Sequence, residues 1–400
     1  MKKIRDLIVK SSNKQYLYDI INKKYLDFCL GSGTLILGHG HRIFKKEIKS
    51  QLNLGSIYSE NNIYKINFEK NLRSTFKIFS KYIFCNSGSE ANIRAIRISR
   101  AISKKKKIAI MSGDWHGSVD ALMFDLNNKK LESLSSGINI YKKDIIVLPK
   151  DNIQLCKKIL DNNFEDISII MVEPIQAGDP NNNHIKIIKF LNKYCKIKKI
   201  IFHLDECITG LRVKNLSIFK KYNLKPDIVT LGKCFGGGLP IGIVAYSKKI
   251  EKKLDNLKLK VFFGGTFSGN PLTMRVGNQV FNFLKNKHRI INRKINNLSY
   301  MLENKINQFC LSKNIAFKLL RYESILRPWY KNHKKNHKFG SNFFLRSDIN
   351  NFRNFLLNNN IFISKNCCFF ISQCHTPNDV NYLSSIIIKY LKKKFIKLST

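Results

Sequence analysis

The chain has 400 residues, of which 44% are hydrophobic, enough for two or three domain-sized units with a real core. Its formal net charge is +44, but the lysines are spread over the whole sequence, which predicts a diffuse field and disfavours a dedicated nucleic-acid groove. No apolar stretch is long enough to span a bilayer or form a signal peptide, and the ten cysteines include no Cys-x-x-Cys pair, so we expect a cytoplasmic protein with reduced thiols.

The first predicted elements are a hairpin and a series of buried strands. Residues Leu17 to Asp27 alternate around an Asn-Lys-Lys turn, the pattern of two short antiparallel strands. After a helical pattern from Ala91 to Arg100, apolar runs alternate with helical stretches as far as Ser247. The main runs are Ile108–Met111, Ile167–Val172, Ile200–Leu204 and Ile228–Leu231. This rhythm predicts an α/β fold with a parallel sheet and crossover helices.

The pattern changes after Pro271. Long basic helices are predicted there, followed by short strands and a last helix from about Pro377 to Lys392. The most polar stretch, Tyr330 to Gly340, predicts a solvated loop. We therefore expect the last third of the chain to differ in architecture from the part before it.

Ser87-Gly88-Ser89 lies between the predicted strand Tyr82–Cys85 and the helix that includes Ala91. Backbone N–H groups and hydroxyls at a helix N-terminus form a natural phosphate site. The same residues also fit an ordinary helix cap with Glu90 in the first turn. The residues alone leave both interpretations open.

Trp115-His116-Gly117 follows the run Ile108–Met111. Its indole, at the end of a strand, can stack on a flat ring, and its glycine leaves room for that ring. Its histidine has no partner at metal-ligand spacing, and the same holds for His39-Gly40-His41, so we expect no metal site.

Asp205 and Lys233 follow neighbouring buried runs, so both side chains are expected at the carboxyl edge of the sheet, where α/β proteins form their sites. Asp205 alone also fits a helix cap. The glycines at Gly236–Gly238 allow a tight bend and leave room for a flat ligand. An amine, a carboxylate and a phosphate cradle are what pyridoxal phosphate needs: a Schiff-base lysine, an acid for the pyridine nitrogen and an anion site.

Six segments resemble, in order, the motifs of class III aminotransferases, most closely the branch that includes glutamate-1-semialdehyde 2,1-aminomutase. The segments are Asn86–Ala91, Trp115–Gly117, Glu173-Pro174, Asp205–Arg212, Gly232–Gly238 and Gly265–Pro271. The resemblance runs from about Tyr18 to Tyr390. It implies a fold-type I transferase dependent on pyridoxal phosphate, an α/β protein with a large, mostly parallel sheet domain and a smaller α+β domain formed by both chain ends.

The resemblance also implies domain bounds and residue roles. Residues 1–45 would belong to the small domain, 46–265 to the large cofactor-binding domain and 266–400 to the C-terminal small domain. Lys233 would bond to pyridoxal 5′-phosphate and Asp205 would pair with its ring nitrogen, so these two are the expected catalytic residues. The further cofactor contacts implied are Ser87, Gly88, Ser89, Trp115, His116, Glu173, Cys207 and Thr266.

Two of these positions carry a further implication. Cys207 stands where the family usually has Val or Ile, a small departure on the face of the ring. In the family, the threonine at position 266 reaches the phosphate of the neighbouring subunit, which implies a homodimer with shared active sites. The partners expected are therefore a second copy of the chain and two small molecules, an amino donor and an oxo acceptor.

The reaction implied is amino transfer between an amino donor and an oxo acid, aldehyde or ketone. The alternative is the aminomutase reaction, which moves the amino group within glutamate-1-semialdehyde in tetrapyrrole precursor synthesis. Aminomutases of that branch carry a Ser-Pro-Val-Arg segment whose arginine holds the substrate carboxylate. The residues before Leu17 contain Arg5 but no such segment, which favours the aminotransferase.

Two points stay open in the sequence. Arg212 and Arg327 are candidates for a substrate-carboxylate contact or for a scaffold role, and the sequence does not separate these roles. A basic nucleic-acid-binding protein on a degenerate enzyme scaffold is a third hypothesis for the function. The intact set of Lys233, Asp205 and Ser87-Gly88-Ser89 argues against it.

Overall fold

The computed structural model describes residues 7–58, 60–127, 130–139, 141–330 and 346–396. The strands are β1 (Val9–Asn13), β2 (Tyr16–Asp19), β3 (Lys24–Asp27), β4 (Lys81–Cys85), β5 (Lys107–Met111), β6 (Phe124–Asn127), β7 (Lys130–Ser133), β8 (Ile145–Leu148), β9 (Ile167–Val172), β10 (Ile201–Asp205), β11 (Ile228–Gly232), β12 (Gly242–Tyr246), β13 (Phe317–Tyr322), β14 (Ile325–Tyr330), β15 (Ile361–Phe362) and β16 (Phe369–Phe370). The helices are the single turn α1 (Leu30–Gly33), α2 (Arg42–Leu52), α3 (Ile63–Thr75), α4 (Gly88–Ser103), α5 (Ile153–Asp161), α6 (His184–Lys198), α7 (Ile218–Lys221), α8 (Lys248–Asp255), α9 (Pro271–Ser312), α10 (Arg346–Asn358) and α11 (Pro377–Phe395).

A seven-stranded sheet forms the centre of the fold, with strand order β4-β12-β11-β10-β9-β5-β8. Strand β12 runs antiparallel to both neighbours, whereas the other adjacent pairs are parallel. The four main apolar runs of the sequence form β5, β9, β10 and β11. The predicted α/β fold with a mostly parallel sheet is confirmed.

The two faces of this sheet bury separate apolar layers. Every residue of β9 is buried. Ile170 and Val172 pack in one layer, whereas Ile169 and Met171 pack in the other, because successive side chains of a strand point to opposite faces. Burial on both faces explains why this strand lacks polar alternation, with Ser168 as its one polar residue.

Smaller sheets join the two ends of the chain. Strands β2 and β3 form the predicted antiparallel hairpin. The C-terminal strand β15 pairs in parallel with β3, with Ile361 opposite Leu26. Strands β13, β14 and β16 form a further antiparallel sheet. The smaller α+β part made from both chain ends is therefore confirmed, while the residue bounds of the domains stay a prediction.

The last third of the chain differs from the expectation in one respect. Where several long helices were expected after Pro271, the structure has one continuous helix of 42 residues, α9. Its start is fixed by Asn270, whose side chain accepts a hydrogen bond from the Thr273 N–H, and by a proline in the first turn. The predicted final helix is confirmed as α11.

The predicted loop from Tyr330 to Gly340 lies, beyond Tyr330 itself, outside the described residues, and Tyr330 ends β14. Among the helices of the described ranges, none combines the length and the apolar character needed to cross a bilayer.

Candidate functional site

Asp205 and Lys233 lie at the same edge of the central sheet. Strands β10 and β11 are parallel, with Asp205 paired in register with Thr230. Lys233 comes directly after β11, half-buried, in a left-handed backbone conformation with φ of 47°. Such a conformation is uncommon for a residue with a side chain and is found where the surrounding structure imposes it, often at functional sites. The expected meeting of the amine and the carboxylate is thus consistent with the topology of the sheet.

Three hydrogen bonds fix the carboxylate of Asp205, which is 5% exposed. Its Oδ2 lies 3.0 Å from Nδ1 of His116 and accepts from Nδ2 of Asn92 at 2.8 Å. Its Oδ1 accepts from the backbone N–H of Cys207 at 3.1 Å. Asn92 also donates to the carbonyl of His116 at 2.9 Å, so the three side chains hold one another in place.

The opposite charges of His116 and its carboxylate partners stabilise one another. Burial alone would lower the pKa of His116, but its hydrogen bonds to Asp114 and Asp205 outweigh burial and raise that pKa to about 10. Burial would raise the pKa of Asp205, but the hydrogen bond and positive charge of His116 hold it well below its usual range. At neutral pH the site therefore contains a buried carboxylate and a buried imidazolium.

A second carboxylate lies on the other side of the imidazole. Asp114 Oδ2 is 3.5 Å from Nε2 of His116 and accepts from the backbone N–H of Glu173 at 2.9 Å, while Oδ1 accepts from Nε2 of Gln176 at 2.7 Å. Glu173 Oε2 in turn accepts from the N–H of Trp115 at 2.8 Å. Burial, followed by the charges of Asp114 and Asp205, raises the pKa of Glu173 well above its usual value.

Ser87, Gly88 and Ser89 form the start of helix α4. The Ser87 hydroxyl accepts from the N–H of Glu90 at 3.1 Å, which is the capping role considered for the sequence. The Ser89 hydroxyl accepts from the N–H of Ser118 at 3.1 Å, next to Gly117. A Cβ at Gly117 would lie 2.2 Å from that hydroxyl, so only glycine allows this approach. The cap and a phosphate cradle are compatible, because the backbone N–H groups of the first turn have no hydrogen-bond partner within the helix and can donate to a phosphate.

Cys207 lies between the start of α4 and the lysine turn. Its Sγ is 2.8 Å from the place of a Cβ at Gly88 and 3.3 Å from that of a Cβ at Gly232. Burial raises the pKa of this thiol well above its usual value, so it stays neutral and packs as a small apolar group. The glycines thus bring the predicted phosphate cradle, Cys207 and Lys233 close together.

Two of the predicted site residues, Trp115 and Thr266, are exposed to solvent. Trp115 is 47% exposed, which leaves its indole available for a flat ring. Thr266 is exposed in the loop that precedes α9. Among the hydrogen bonds of the described residues, none joins Thr266, Lys233 or Ser87 to the Asp205 cluster.

Taken together, these residues fit pyridoxal phosphate. Asp205 supplies a buried negative charge, Lys233 an amine one strand away, and the start of α4 an anion site. Gly88 and Gly232 provide space beside Cys207 that a Cβ would fill. Asn92 and Asp114 were missed by the sequence analysis. For Asn92 the signal was a polar residue inside an apolar helical stretch, and for Asp114 it was its place next to Trp115.

Comparisons with known proteins address the family and the fold. The family model for class III aminotransferases matches residues 2–318. Glutamate-1-semialdehyde 2,1-aminomutase of Methanosphaera stadtmanae is 30% identical over 385 residues, 93% of this chain and 88% of that protein. The fold matches an omega-transaminase from Sphaerobacter thermophilus, at 19% identity with a TM-score of 0.86 over 96% of this chain and 91% of that one. It also matches a glutamate-1-semialdehyde aminomutase from Pseudomonas aeruginosa PAO1, at 18% identity with a TM-score of 0.87 over 97% and 88%.

Proposed function

Because the chain belongs to the class III aminotransferase family, we propose that it transfers an amino group from an amino donor to an oxo acid, aldehyde or ketone, with pyridoxal 5′-phosphate bonded to Lys233. The cofactor follows from the family. The single observation that carries the choice of residues is the buried Asp205, paired with His116 at 3.0 Å, at the sheet edge where Lys233 follows the next strand.

Each side chain has a task in this reaction. The cofactor, when bound, supplies an electron sink for a bond at the substrate α carbon. Asp205 holds the negative charge that a protonated ring nitrogen needs, and His116 and Asn92 keep its carboxylate oriented. The Nζ of Lys233 would take up the proton that leaves the substrate α carbon. Ser87, Gly88 and Ser89 offer backbone N–H groups to a phosphate.

We further propose a homodimer in which Thr266 serves the phosphate site of the partner subunit. Large apolar side chains are exposed on the same loop, with Phe262 75% and Phe267 55% exposed. Helix α3 adjoins this loop, since the Asn62 side chain at its start donates to the Gly269 carbonyl at 2.9 Å, and it exposes 53% of Ile66. We place the contact between subunits at these side chains, because large exposed apolar patches often mark protein–protein contacts.

We also propose a reducing, cytoplasmic compartment, which the free thiols of the cysteines support.

Subunit mixing tests the shared site. We expect Lys233→Ala and Thr266→Ala homodimers to be impaired, and their mixture to regain activity, because in a heterodimer both lesions fall in the same site and leave the other site intact. Each variant mixed with itself is the control. Verified subunit exchange without any recovery would mean that each site is made by one chain.

The second candidate function is the aminomutase reaction. A specific observation favours it, since relatives such as the Methanosphaera stadtmanae protein, aligned over 93% of this chain, carry the name glutamate-1-semialdehyde 2,1-aminomutase. A mutase must keep its intermediate in the pocket between two halves of the reaction, whereas an aminotransferase releases an oxo product and then binds a second substrate.

A single-turnover experiment separates the two functions. Enzyme loaded with pyridoxal phosphate is mixed with an amino donor, and the free oxo product is measured. We expect about one equivalent of oxo product per site, with further turnover only after an oxo acceptor is added. Efficient isomerisation of glutamate-1-semialdehyde without any added co-substrate would instead establish the mutase.

A further inference from the structure

The ionisable side chains that line one cleft of the protein are all lysines. The cleft lies at the amino edge of the central sheet, because two of its walls come from the segments just before β4 and β11, two strands that run in the same direction. A third wall comes from α9, and the volume is about 630 Å³, a size typical of small-molecule sites. Asp205 and Lys233 lie at the opposite edge, and the length of β11, about 15 Å, separates the two places.

Four lysines define this basic cleft: Lys77, Lys220, Lys225 and Lys285. Within the part of the chain that the structure describes, no carboxylate lines the cleft, and none of the four ammonium groups forms an ion pair. A cleft lined by charges of one sign concentrates the electric field and raises the local concentration of ions of the opposite sign. The basic cleft is therefore a place where an anion would be stabilised.

Two of these ammonium groups are held by contacts with the walls. Nζ of Lys220 donates to the carbonyl of Thr75 at 3.4 Å and lies 5.8 Å from the centroid of the Phe76 ring. Nζ of Lys285 lies 5.8 Å from the centroid of the Phe281 ring. The Phe76 and Phe281 rings pack together with their centroids 6.1 Å apart, so both ammonium groups lie on one aromatic floor. Because an ammonium has three N–H donors, each of them keeps donors for a ligand.

We propose that the basic cleft binds a small molecule that carries two or more phosphate groups on an apolar or aromatic body, as a nucleoside triphosphate does. A lysine ammonium is a compact charge that pairs with phosphate oxygens in many orientations, and several such charges match several phosphates. Ile78, Leu216 and Phe219 line the same cleft and offer contact to the apolar body. The inference is independent of the proposed amino transfer, which takes place at the other edge of the sheet.

The competing explanation is general adsorption of anions to a chain with a net charge of +44. Adsorbed anions have no fixed stoichiometry, and any two exposed lysines contribute equally to holding them. A ligand in the basic cleft instead binds once per chain and depends on the lysines that line the cleft. Variants that remove the same charge inside and outside the cleft therefore separate the two explanations.

Calorimetric titration gives the direct test. The full chain, loaded with pyridoxal phosphate and desalted, is titrated with ATP at about 0.15 M salt without magnesium, and we expect one ATP per chain. Lys220→Gln combined with Lys285→Gln should weaken binding about 10- to 100-fold, the value of a charge-assisted hydrogen bond. The matched control is Lys305→Gln combined with Lys313→Gln, which removes two lysines at least about 30 Å further along α9 and should change the affinity less than about 2-fold.

A carboxylate placed in the cleft tests its charge without removing any lysine. Ser74 lines the cleft, is exposed near the end of α3 and donates to the carbonyl of Asn71 at 2.9 Å. Ser312 is its match, since it is exposed at the end of α9 and donates to the carbonyl of Phe309 at 3.0 Å. Ser74→Asp should weaken ATP binding about 10-fold or more through repulsion of the phosphates, and Ser312→Asp less than about 2-fold. Equal urea midpoints for the two variants show that both fold.

Inorganic tripolyphosphate tests the apolar part of the proposal. We expect ATP to bind about 3-fold or more tightly than tripolyphosphate, because only ATP buries apolar surface against the walls. Equal affinities would overturn the assignment of an apolar body. A wild type that binds no ATP, binding without a fixed stoichiometry, or equal weakening in the cleft variants and their controls would overturn the site itself. Since the titration measures binding and not turnover, each of these results leaves the amino-transfer proposal untouched.

Discussion

Asp205 and Glu206 are adjacent, buried and acidic, yet their surroundings are opposite. Asp205 faces His116 and Asn92, and its pKa is held low by the imidazolium. Glu206 accepts from the Thr209 hydroxyl at 2.8 Å and from the backbone N–H groups of Ile218 and Phe219 at the start of α7. Burial raises the pKa of Glu206 to about 7, although these hydrogen bonds oppose the shift.

The difference shows what distinguishes a site residue from a structural one. Successive residues at a strand end point to opposite sides, so one carboxylate enters the cluster at the sheet edge and the other caps a short helix. Asp205 has a cation beside it and stays charged, whereas Glu206 has only dipoles and titrates near neutrality. Of the two carboxylates, Asp205 is therefore the one suited to the reaction, and Glu206 contributes to the stability of the fold.

The largest expected effect comes from Asp205→Asn. The neutral amide cannot stabilise a protonated ring nitrogen, so we expect the rate of the donor half reaction to fall about 10²- to 10³-fold. The cofactor should remain bound, because Lys233 and the start of α4 are unchanged. The measurement is deuterium exchange at the donor α carbon, with cofactor content checked by absorbance. Exchange at nearly the wild-type rate would mean that another acid does this work.

Glu206→Gln is expected to leave the half reaction within about 3-fold of wild type and to change the pH dependence of stability. A carboxyl whose pKa is raised from 4.5 to about 7 by folding stabilises the folded state below pH 4.5. This contribution to the free energy of unfolding is lost as the pH rises to 7. The wild type should lose about 3 kcal/mol over that window from this group, whereas the variant, whose amide does not titrate, should lose none. Urea unfolding at pH 5 and pH 8 gives the change in stability for both proteins; equal changes would contradict the assignment.

Asp114→Asn should have the smallest effect on rate, less than about 10-fold, because Asp205 remains intact. The groups whose charges face His116 are Asp114, Asp205, Glu173 and His203. Removing the Asp114 carboxylate should lower the His116 pKa from about 10, because only Asp205 then counteracts the effect of burial. Imidazole ¹⁵N shifts, followed against pH in the cofactor-free protein, report this directly. An unchanged titration would show that Asp114 only orients the backbone of Glu173.

Sequence patterns were sufficient to predict the fold class because the central strands are short, mostly apolar runs. Five of the six residues of the run Ile167–Val172 are apolar because both faces of the strand are covered, and the run predicts a central strand by itself. The continuous α9 was less clear, because basic residues occur along the whole segment and hide where one helix ends and another begins. The hairpin at Leu17–Asp27 was predicted correctly, but its pairing with β15 joins positions more than 300 residues apart.

The site was only partly predictable, because some of its residues meet through contacts between segments that are distant in the sequence. Asp205 ends one buried strand and Lys233 directly follows the neighbouring one, so strand order alone brings them to one edge. Asn92 and Asp114 act through contacts made only when α4 and the segment after β5 pack on that edge. The buried contacts of Arg212 are made with the carbonyls of Gly33 and Ile371, which no local sequence pattern connects to it.

Lys233 is the residue on which the proposed chemistry depends, because it is assigned to carry the cofactor. The most direct measurement is reduction of the cofactor-loaded protein with borohydride, followed by peptide mapping of the pyridoxyl group. We expect the visible absorbance band to bleach and one modified peptide to appear, with the label on Lys233 rather than on any other of the chain's many lysines. A label on a different lysine, or a loaded protein without covalent label, would contradict this assignment of the site.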